Sequence, residues 1–535
     1  MDASTASPEA AGILAGLPDR ISHVIRNSAR EHSHQPALVD ATTQWSYGEL
    51  AAIVAELTIT LRHFAIRPGD RMMIVSENSL QLAALVLAAS EMNAWAVVVN
   101  PRLSNREIDQ IREHSGARRV LYVGDVSTTA QHHAERHGAG THQLGRLGAV
   151  GVGFLQADVD PEPVETDPAR QVAVLLYTSG TTGNPKGVML THRNLLFNAR
   201  VAGQLRRLSP EDRIYGVLPM SHIVGLSTIL LSALMSGAAI QVTPRYDPAE
   251  LVHAVAEDGV SVLSGVPATY QRLLEYQAIS GLKALPRGRL RYLGVAGAPL
   301  DLTLKARIEA ELGLPLLNAY GITECGPAIS AVRSEAPVSD ASVGRPFPGV
   351  ELRLVGRDGT NVLPGEVGEL YVRGPGVMRG YYRAPELTAA AIDAAGWFNT
   401  GDLARLDGEK LYVVGRTKEL IIRSGFNVYP PEVEAVLNAH PDVVQSAVVG
   451  RAVEGNEEVI AYVQLLPGSK ADAAALMAYA RAQLTPYKRP TEIVIFDALP
   501  ANSAGKILKH KLADAALEGE THGAQTRDRG GNRRG

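Results

Sequence analysis

Between Tyr177 and Gly187 the chain reads Tyr-Thr-Ser-Gly-Thr-Thr-Gly-Asn-Pro-Lys-Gly, directly after the apolar run Val172–Leu176 and directly before Val188-Met189-Leu190. Three glycines let successive backbone N–H groups turn toward one anion, hydroxyls add donors, and a lysine adds charge. The composition suits a polyphosphate, with Thr178, Ser179, Gly180, Thr181, Thr182, Gly183 and Lys186 as its contacts. It is not the G-x-x-x-x-G-K-[ST] loop of common nucleotide hydrolases, because Lys186 is followed by Gly187 and its spacing from Gly183 is wrong. A flexible Ser/Thr/Gly linker is the competing reading. It does not explain why an apolar strand pattern stops and resumes at once on either side. Two other groups invite chemistry. His132, His133, His137 and His142 suggest a metal, but the Glu of His133-Ala134-Glu135-Arg136-His137 is out of place for H-E-x-x-H and no third ligand is evident. Cys325 would need a base to act as a nucleophile, and the sequence offers none beside it; a small pocket-wall residue is the expectation.

The loop resembles the first signature of the adenylate-forming superfamily, which includes acyl- and aryl-CoA synthetases, firefly luciferase and the adenylation domains of peptide synthetases. Asn318-Ala319-Tyr320-Gly321-Ile322-Thr323-Glu324 is similar to the second signature and Gly396-Trp397-Phe398-Asn399-Thr400-Gly401-Asp402 to the third. Gly415-Arg416-Thr417-Lys418-Glu419 with Gly425 follows, and Asn502-Ser503-Ala504-Gly505-Lys506-Ile507-Leu508 comes last. Order and spacing agree from about Leu17 to Leu512, placing the chain in the acyl-/aryl-CoA synthetase branch.

The resemblance implies ATP, Mg²⁺ and coenzyme A as reactants. A carboxylate is a poor electrophile at neutral pH, and joining it to AMP gives it a good leaving group. The charges of ATP must be tolerated while the carboxylate approaches the α-phosphorus, which calls for fixed positive groups. By resemblance Glu324 ligates Mg²⁺, Thr323 reaches the α-phosphate, and Lys506 meets the carboxylate and α-phosphate oxygens. Asp402, expected to end a turn, accepts the ribose hydroxyls with Arg416 as a second contact. Tyr320 stacks on adenine against a backbone wall of Gly297, Ala298 and Pro299. His222 resembles the histidine that gates the acyl pocket and CoA tunnel. Lys418 falls at the hinge position, and Gly425 comes beside the pantetheine channel, with a helix cap as its alternative. The acyl pocket falls on Val224, Ser227, Gly294, Ala296, Gly321, Pro327 and Ala328. These walls are small or apolar, which favours a medium-chain fatty acid or an aromatic acid over acetate, with Arg333 as the one nearby cation for a dicarboxylate.

Such a site needs strand ends to hold it. From Leu17 to Pro348 short β-rich runs alternate with helical ones: Met72–Val75, Trp95–Val99, Val120–Val123, Val172–Leu176, Ile240–Thr243, Val262–Ser264 and Arg291–Val295. This predicts an α/β fold of wound parallel sheets, with sites at strand C-terminal ends. A small antiparallel unit is expected over 349–416, from Glu351–Val355, Glu369–Val372 and Leu411–Val414 between Asp-Gly and Pro-Gly turns. The expected domains are a large N-terminal one over 17–416 and a small mobile α+β one over 417–515. Residues 516–535 form an aperiodic Gly/Arg-rich tail read as disordered. The stretch from Gly124 to Asp167 has little pattern.

At 535 residues with net charge −4, one cysteine and 45% hydrophobic residues, the chain exceeds one core and lacks the basic excess that nucleic-acid or anionic-membrane binding would require. Nothing in Met1 to Gly12 reads as a signal peptide, and Ile223–Val242 reads as a buried helix running into a strand rather than a span. The expectations are a cytoplasmic enzyme without integral membrane association, its oligomeric state open to a homodimer. A ligase that loads a carrier protein, and a non-catalytic nucleotide-binding regulator, are the competing functions. Amino-acid activation is disfavoured, since His222-Ile223-Val224-Gly225 offers no acid for an α-ammonium.

Overall fold

A computed structural model describes residues 8–178, 185–453, 456–501 and 507–518. The strands that read as unbroken apolar runs are interior strands of parallel sheets, where both faces are covered by helices. Arg71–Val75 and Trp95–Val99 are buried at every position. They pair in parallel, Met73 opposite Val97, within an eight-stranded sheet. Its order is Gly380–Tyr381, Lys186–Thr191, Val172–Thr178, Trp95–Val99, Arg71–Val75, Arg119–Tyr122, Ala149–Val152 and Gly140–Gln143. The last two strands, with the helix Thr128–Arg136, organise the stretch in which the sequence showed little pattern.

A nine-stranded sheet runs Arg345–Pro346, Ala328–Ala331, Leu316–Gly321, Tyr292–Val295, Val262–Gly265, Arg213–Gly216, Ala239–Val242, Pro36–Val39 and Gln44–Ser46. From Leu316–Gly321 to Pro36–Val39 neighbours are parallel, and antiparallel strands close each end. The helices start where the sequence supplies caps. Ser46 with Glu49 opens Tyr47–His63, Ser104 with Glu107 opens Asn105–Ser115, and Thr191 with Asn194 opens His192–Leu205. Val224–Leu231 winds as a π-helix into the short helix Ser232–Met235 and then the strand Ala239–Val242.

The chain divides into two compact units, Met1–Thr400 with Ala404–Val413, and Gly401–Leu403 with Val414–Gly535. The β unit holds the expected strands and one more, Phe398–Asp407, in the order Glu351–Val355, Gly368–Arg373, Phe398–Asp407, Lys410–Arg416. In the second unit a three-stranded sheet of Val443–Val453, Asn456–Leu465 and Glu492–Phe496 is covered by Pro430–Asn438 and Ala473–Gln483. The helix Lys509–Glu518 packs Leu512 and Ala516 into a core with Ala447 and Tyr462, so order extends past residue 515. The rest of the expected tail lies outside the described residues.

Candidate active site

The strands Val172–Thr178 and Lys186–Thr191 are antiparallel neighbours with Thr178 opposite Lys186, so both ends of the phosphate loop stand side by side. Ser179, Gly180, Thr181, Thr182 and Gly183 lie outside the described residues, as does Lys506. Gly380–Tyr381 adds to the free edge of this hairpin, Tyr381 opposite Val188. There the Lys186 ammonium stands 5.4 Å over the Tyr381 ring. The Tyr381 hydroxyl donates to Glu324 Oε1 at 3.0 Å, and the Glu324 carbonyl accepts from the Met378 N–H at 2.7 Å. Burial and the adjoining carboxylate push the Tyr381 phenol well above its ordinary pKa, which keeps it a donor.

Three remote segments therefore converge on Lys186, Tyr381 and Glu324. Tyr381 escaped the sequence reading; its only local signal was a Gly-Tyr-Tyr run after a turn, and its importance comes from a partner 57 residues away. With one carboxylate oxygen held by a neutral donor, Glu324 still offers an oxygen ligand of the kind Mg²⁺ takes. Thr323 opens the turn Thr323–Cys325 just beyond the strand Leu316–Gly321, which carries Tyr320 near its end. Cys325 is 2% exposed and belongs to the main hydrophobic core, which corrects the pocket-wall expectation. Gly297, Ala298 and Pro299 follow the strand Tyr292–Val295, at the C-terminal edge where Tyr320 also lies.

His222 is placed by a built turn. Asn78 donates to the Gly216 and Leu218 carbonyls at 3.0 Å each and accepts from the Met220 N–H at 2.7 Å. Burial, aided by the Arg102 charge, lowers the His222 pKa, so the ring is neutral at neutral pH, and its Nε2 is buried without a partner among the described residues. The expected pocket residues separate into two groups. Val224 lies on the π-helix, Gly294 and Gly321 lie on neighbouring strands, and Ala296 follows the strand Tyr292–Val295. Ser227 is fully buried with its hydroxyl bonded to the Leu195 carbonyl at 3.1 Å, so it presents no exposed atom to an acid. Ala328 packs with Phe197, Val201 and Phe347, and Pro327 is buried behind Gly321, where a Cβ would stand 2.1 Å from the Pro327 carbonyl oxygen. Arg333 donates to the Pro346 carbonyl at 2.8 Å and lies over the Phe347 ring.

In the second unit Asp402 is 3% exposed and meets Arg416 Nε at 3.0 Å. It sits inside the strand Phe398–Asp407, not at the end of a turn, and the alternation of the strand is what buries it. Lys418 is exposed in the short turn Thr417–Glu419. Beside it, Glu419 and Glu434 hold the Lys509 ammonium at 3.2 and 2.8 Å. Burial lowers the Lys509 pKa, but the two carboxylates outweigh it and the net shift is upward. Gly425 is no helix cap. With Ser424 at φ 53° and Gly425 at φ 79° it forms the two-residue turn between Ile421–Arg423 and Phe426–Val428, and a Cβ there would meet nothing within 4 Å. Two of the four histidines that suggested a metal have structural partners: His133 Nε2 meets the Pro101 carbonyl at 2.9 Å, and His137 contacts Asp109 at 2.8 Å and Tyr122. Among the described residues no helix is long and apolar enough to cross a membrane.

Residues 25–382 match the model of the AMP-binding enzyme family, and residues 432–506 match that of the AMP-binding enzyme C-terminal domain. The chain is 35% identical over 487 residues to a feruloyl-CoA synthase of an Amycolatopsis species, covering 90% of this chain and 96% of that protein. Among solved structures it resembles ATP-bound MatB from Rhodopseudomonas palustris, with TM-score 0.82 and 29% identity over 93% of this chain and 98% of that one. It also resembles the o-succinylbenzoate CoA synthetase of Bacillus subtilis in complex with its acyl-adenylate intermediate, with TM-score 0.79 and 29% identity over 92% and 98%.

Proposed function

The chain belongs to the AMP-binding enzyme family, as an AMP-forming acyl-CoA synthetase, and we propose that the acid it activates is a medium-chain fatty acid or an aromatic acid. The reaction joins an acid to CoA through an acyl-adenylate and uses ATP and Mg²⁺. The carboxylate oxygen attacks the α-phosphorus, pyrophosphate leaves, and the CoA thiol then displaces AMP from the acyl carbon. Mg²⁺, when bound, offsets phosphate charge. The convergence of Lys186, Tyr381 and Glu324 supports nucleotide binding at this edge. In this reading Thr178, Lys186 and the loop between them hold the phosphates, Thr323 and Glu324 serve the α-phosphate and the cation, and Tyr320 packs on adenine. Asp402 and Arg416 take the ribose, Lys506 serves adenylation, Lys418 is the hinge, and Gly425 lies along the pantetheine channel.

The acid assignment rests on the uncharged residues Val224, Gly294, Ala296 and Gly321. Likeness to a feruloyl-CoA synthase weights it toward an aromatic ring. A charged ω-group among such residues would lack a partner, at a cost of several kcal/mol, on the order of an unpaired buried ion. We place the enzyme in the cytoplasm, where its one cysteine, Cys325, stays a buried thiol. The deciding experiment is pyrophosphate release with and without CoA across acetate to dodecanoate, benzoate, cinnamates and malonate. Highest kcat/KM on cinnamates or mid-length alkanoates is the expected result; a maximum on acetate or malonate would overturn the pocket assignment.

A further inference from the structure

On the strand Tyr292–Val295, Gly294 and Tyr292 share a face, and the next strand sets Ser264 directly opposite Gly294. Tyr292 on this face packs against the cluster that holds Ile223, Leu226 and Ile229, and Val224 joins the same cluster. Arg206, over the Tyr292 ring and bonded to the Thr228 carbonyl, ties this face to the π-helix that carries Val224. Gly294 lets the Tyr292 ring come against Ser264: a Cβ built there would stand 2.9 Å from Tyr292 Cε1, 3.0 Å from Ser264 Oγ and 3.5 Å from the Tyr292 hydroxyl oxygen. Ser264 is 5% exposed, yet its Oγ has no hydrogen-bond partner among the described residues. A buried hydroxyl left unpaired is costly, and native structures keep few of them. Two cations stand near, and one Arg333 nitrogen, the buried Nη1, has no partner among the described residues. Arg206 donates to the Thr228 carbonyl and lies over the Tyr292 ring at 5.9 Å, and Arg333 serves the Pro346 carbonyl. Gly294 lies inside the strand Tyr292–Val295, three residues before Gly297, which follows the strand end. An acid must therefore be long to reach this end.

We propose that Ser264 and Tyr292 are specificity-determining residues that read a neutral hydrogen-bonding substituent, a hydroxyl or methoxy group, on an aromatic acid at the end remote from its carboxylate. This rests on the acyl-pocket assignment above. The absence of a Cβ on Gly294 sets the Tyr292 hydroxyl and Ser264 on one patch, where each can accept from or donate to such a group. An acid lacking the substituent leaves Ser264 unpaired in the complex, and the site rejects it for that reason.

The experiment compares kcat/KM for 4-hydroxycinnamate, cinnamate and 4-carboxycinnamate in the wild type, Ser264→Ala and Tyr292→Phe. The wild type is expected to prefer 4-hydroxycinnamate over cinnamate by about tenfold or more, and each substitution to cut that ratio several-fold toward one, as the loss of one hydrogen bond would. The ratio within one preparation does not depend on the fraction folded, and the wild-type preference is read without any variant. Equal use of the two acids, an unchanged ratio in both variants, preference for 4-carboxycinnamate, or turnover confined to alkanoates would each overturn the inference while acyl-CoA formation stands. Absence of CoA-dependent turnover with every acid of the wider panel would overturn the functional reading itself.

Discussion

With one oxygen of Glu324 held by the Tyr381 hydroxyl at 3.0 Å, the carboxylate is oriented before any cation arrives. A hydrogen bond to a charged acceptor contributes about 1.5–3 kcal/mol, so Tyr381→Phe is expected to slow adenylate formation by about 10- to 100-fold. It should also raise the Mg²⁺ concentration needed for half-maximal ATP–pyrophosphate exchange. CoA transfer from a supplied acyl-adenylate should be spared, whereas damage to the fold would depress both half-reactions together. Lys506 tests the same division from the side of the nucleophile. If its ammonium stabilises the pentacoordinate transition state, Lys506→Ala should cost adenylation about 10²–10³ in rate, by analogy with losing one oxyanion donor, and again spare thioester formation from the adenylate. Equal losses in the two steps would remove Lys506 from that role.

At the level of elements, the π-helix Val224–Leu231 depends on Gly225. A Cβ at Gly225 would stand 2.2 Å from the Pro219 carbonyl oxygen and 2.5 Å from that of Leu218. Neither oxygen can yield easily, because Asn78 also holds this turn through the Leu218 carbonyl and the Met220 N–H. Gly225→Ala should therefore destabilise the protein by about 1–3 kcal/mol, the range of overpacked interiors, and shift Val224 and His222. Urea unfolding read beside acid specificity checks both effects. The apolar run Trp95–Val99 and the alternating run Glu351–Val355 were legible in the sequence with the bounds the structure gives them, since burial of an interior strand or alternation of a two-sided one is written locally. Phe398–Asp407 was not, because its Thr400-Gly401-Asp402 core reads as turn chemistry and only neighbouring strands make it extended. The site divides in the same way. Thr178, Lys186, Glu324, Asp402 and Arg416 lie in recognisable motifs, whereas Tyr381, Asn78 and Ser264 owe their significance to strand pairings and contacts far along the chain. The Ser227 hydroxyl shows the converse. A helix periodicity could place the residue, but not reveal that its oxygen turns back to Leu195.

Across the large unit, buried neutral histidines link the fold to pH. His192 is fully buried at the start of the helix His192–Leu205, its Nδ1 accepting from the Ile21 N–H at 3.3 Å while Nε2 has no partner among the described residues. Burial holds its pKa well below the ordinary 6.5, and His222 is lowered for the same first reason, with Arg102 adding to the effect. In the unfolded chain both rings would take up a proton near 6.5, whereas in the native state they do so only at lower pH. Between those values the unfolded state binds more protons, so stability falls as pH drops, by up to about 1.4 kcal/mol per pH unit for each ring. Above 6.5 these groups contribute no slope. The expected result is a melting temperature that is level with respect to these groups from pH 7 to 8 and declines from pH 6.5 toward 5. His192→Asn keeps an acceptor for the Ile21 N–H and cannot titrate, so urea unfolding of this variant should show a shallower decline over the same interval. An undiminished slope in that variant would assign the acid sensitivity to other groups. A selective loss of CoA transfer in the same range, with adenylation intact, would instead locate the proton on His222, whose Nε2 is buried without a partner among the described residues.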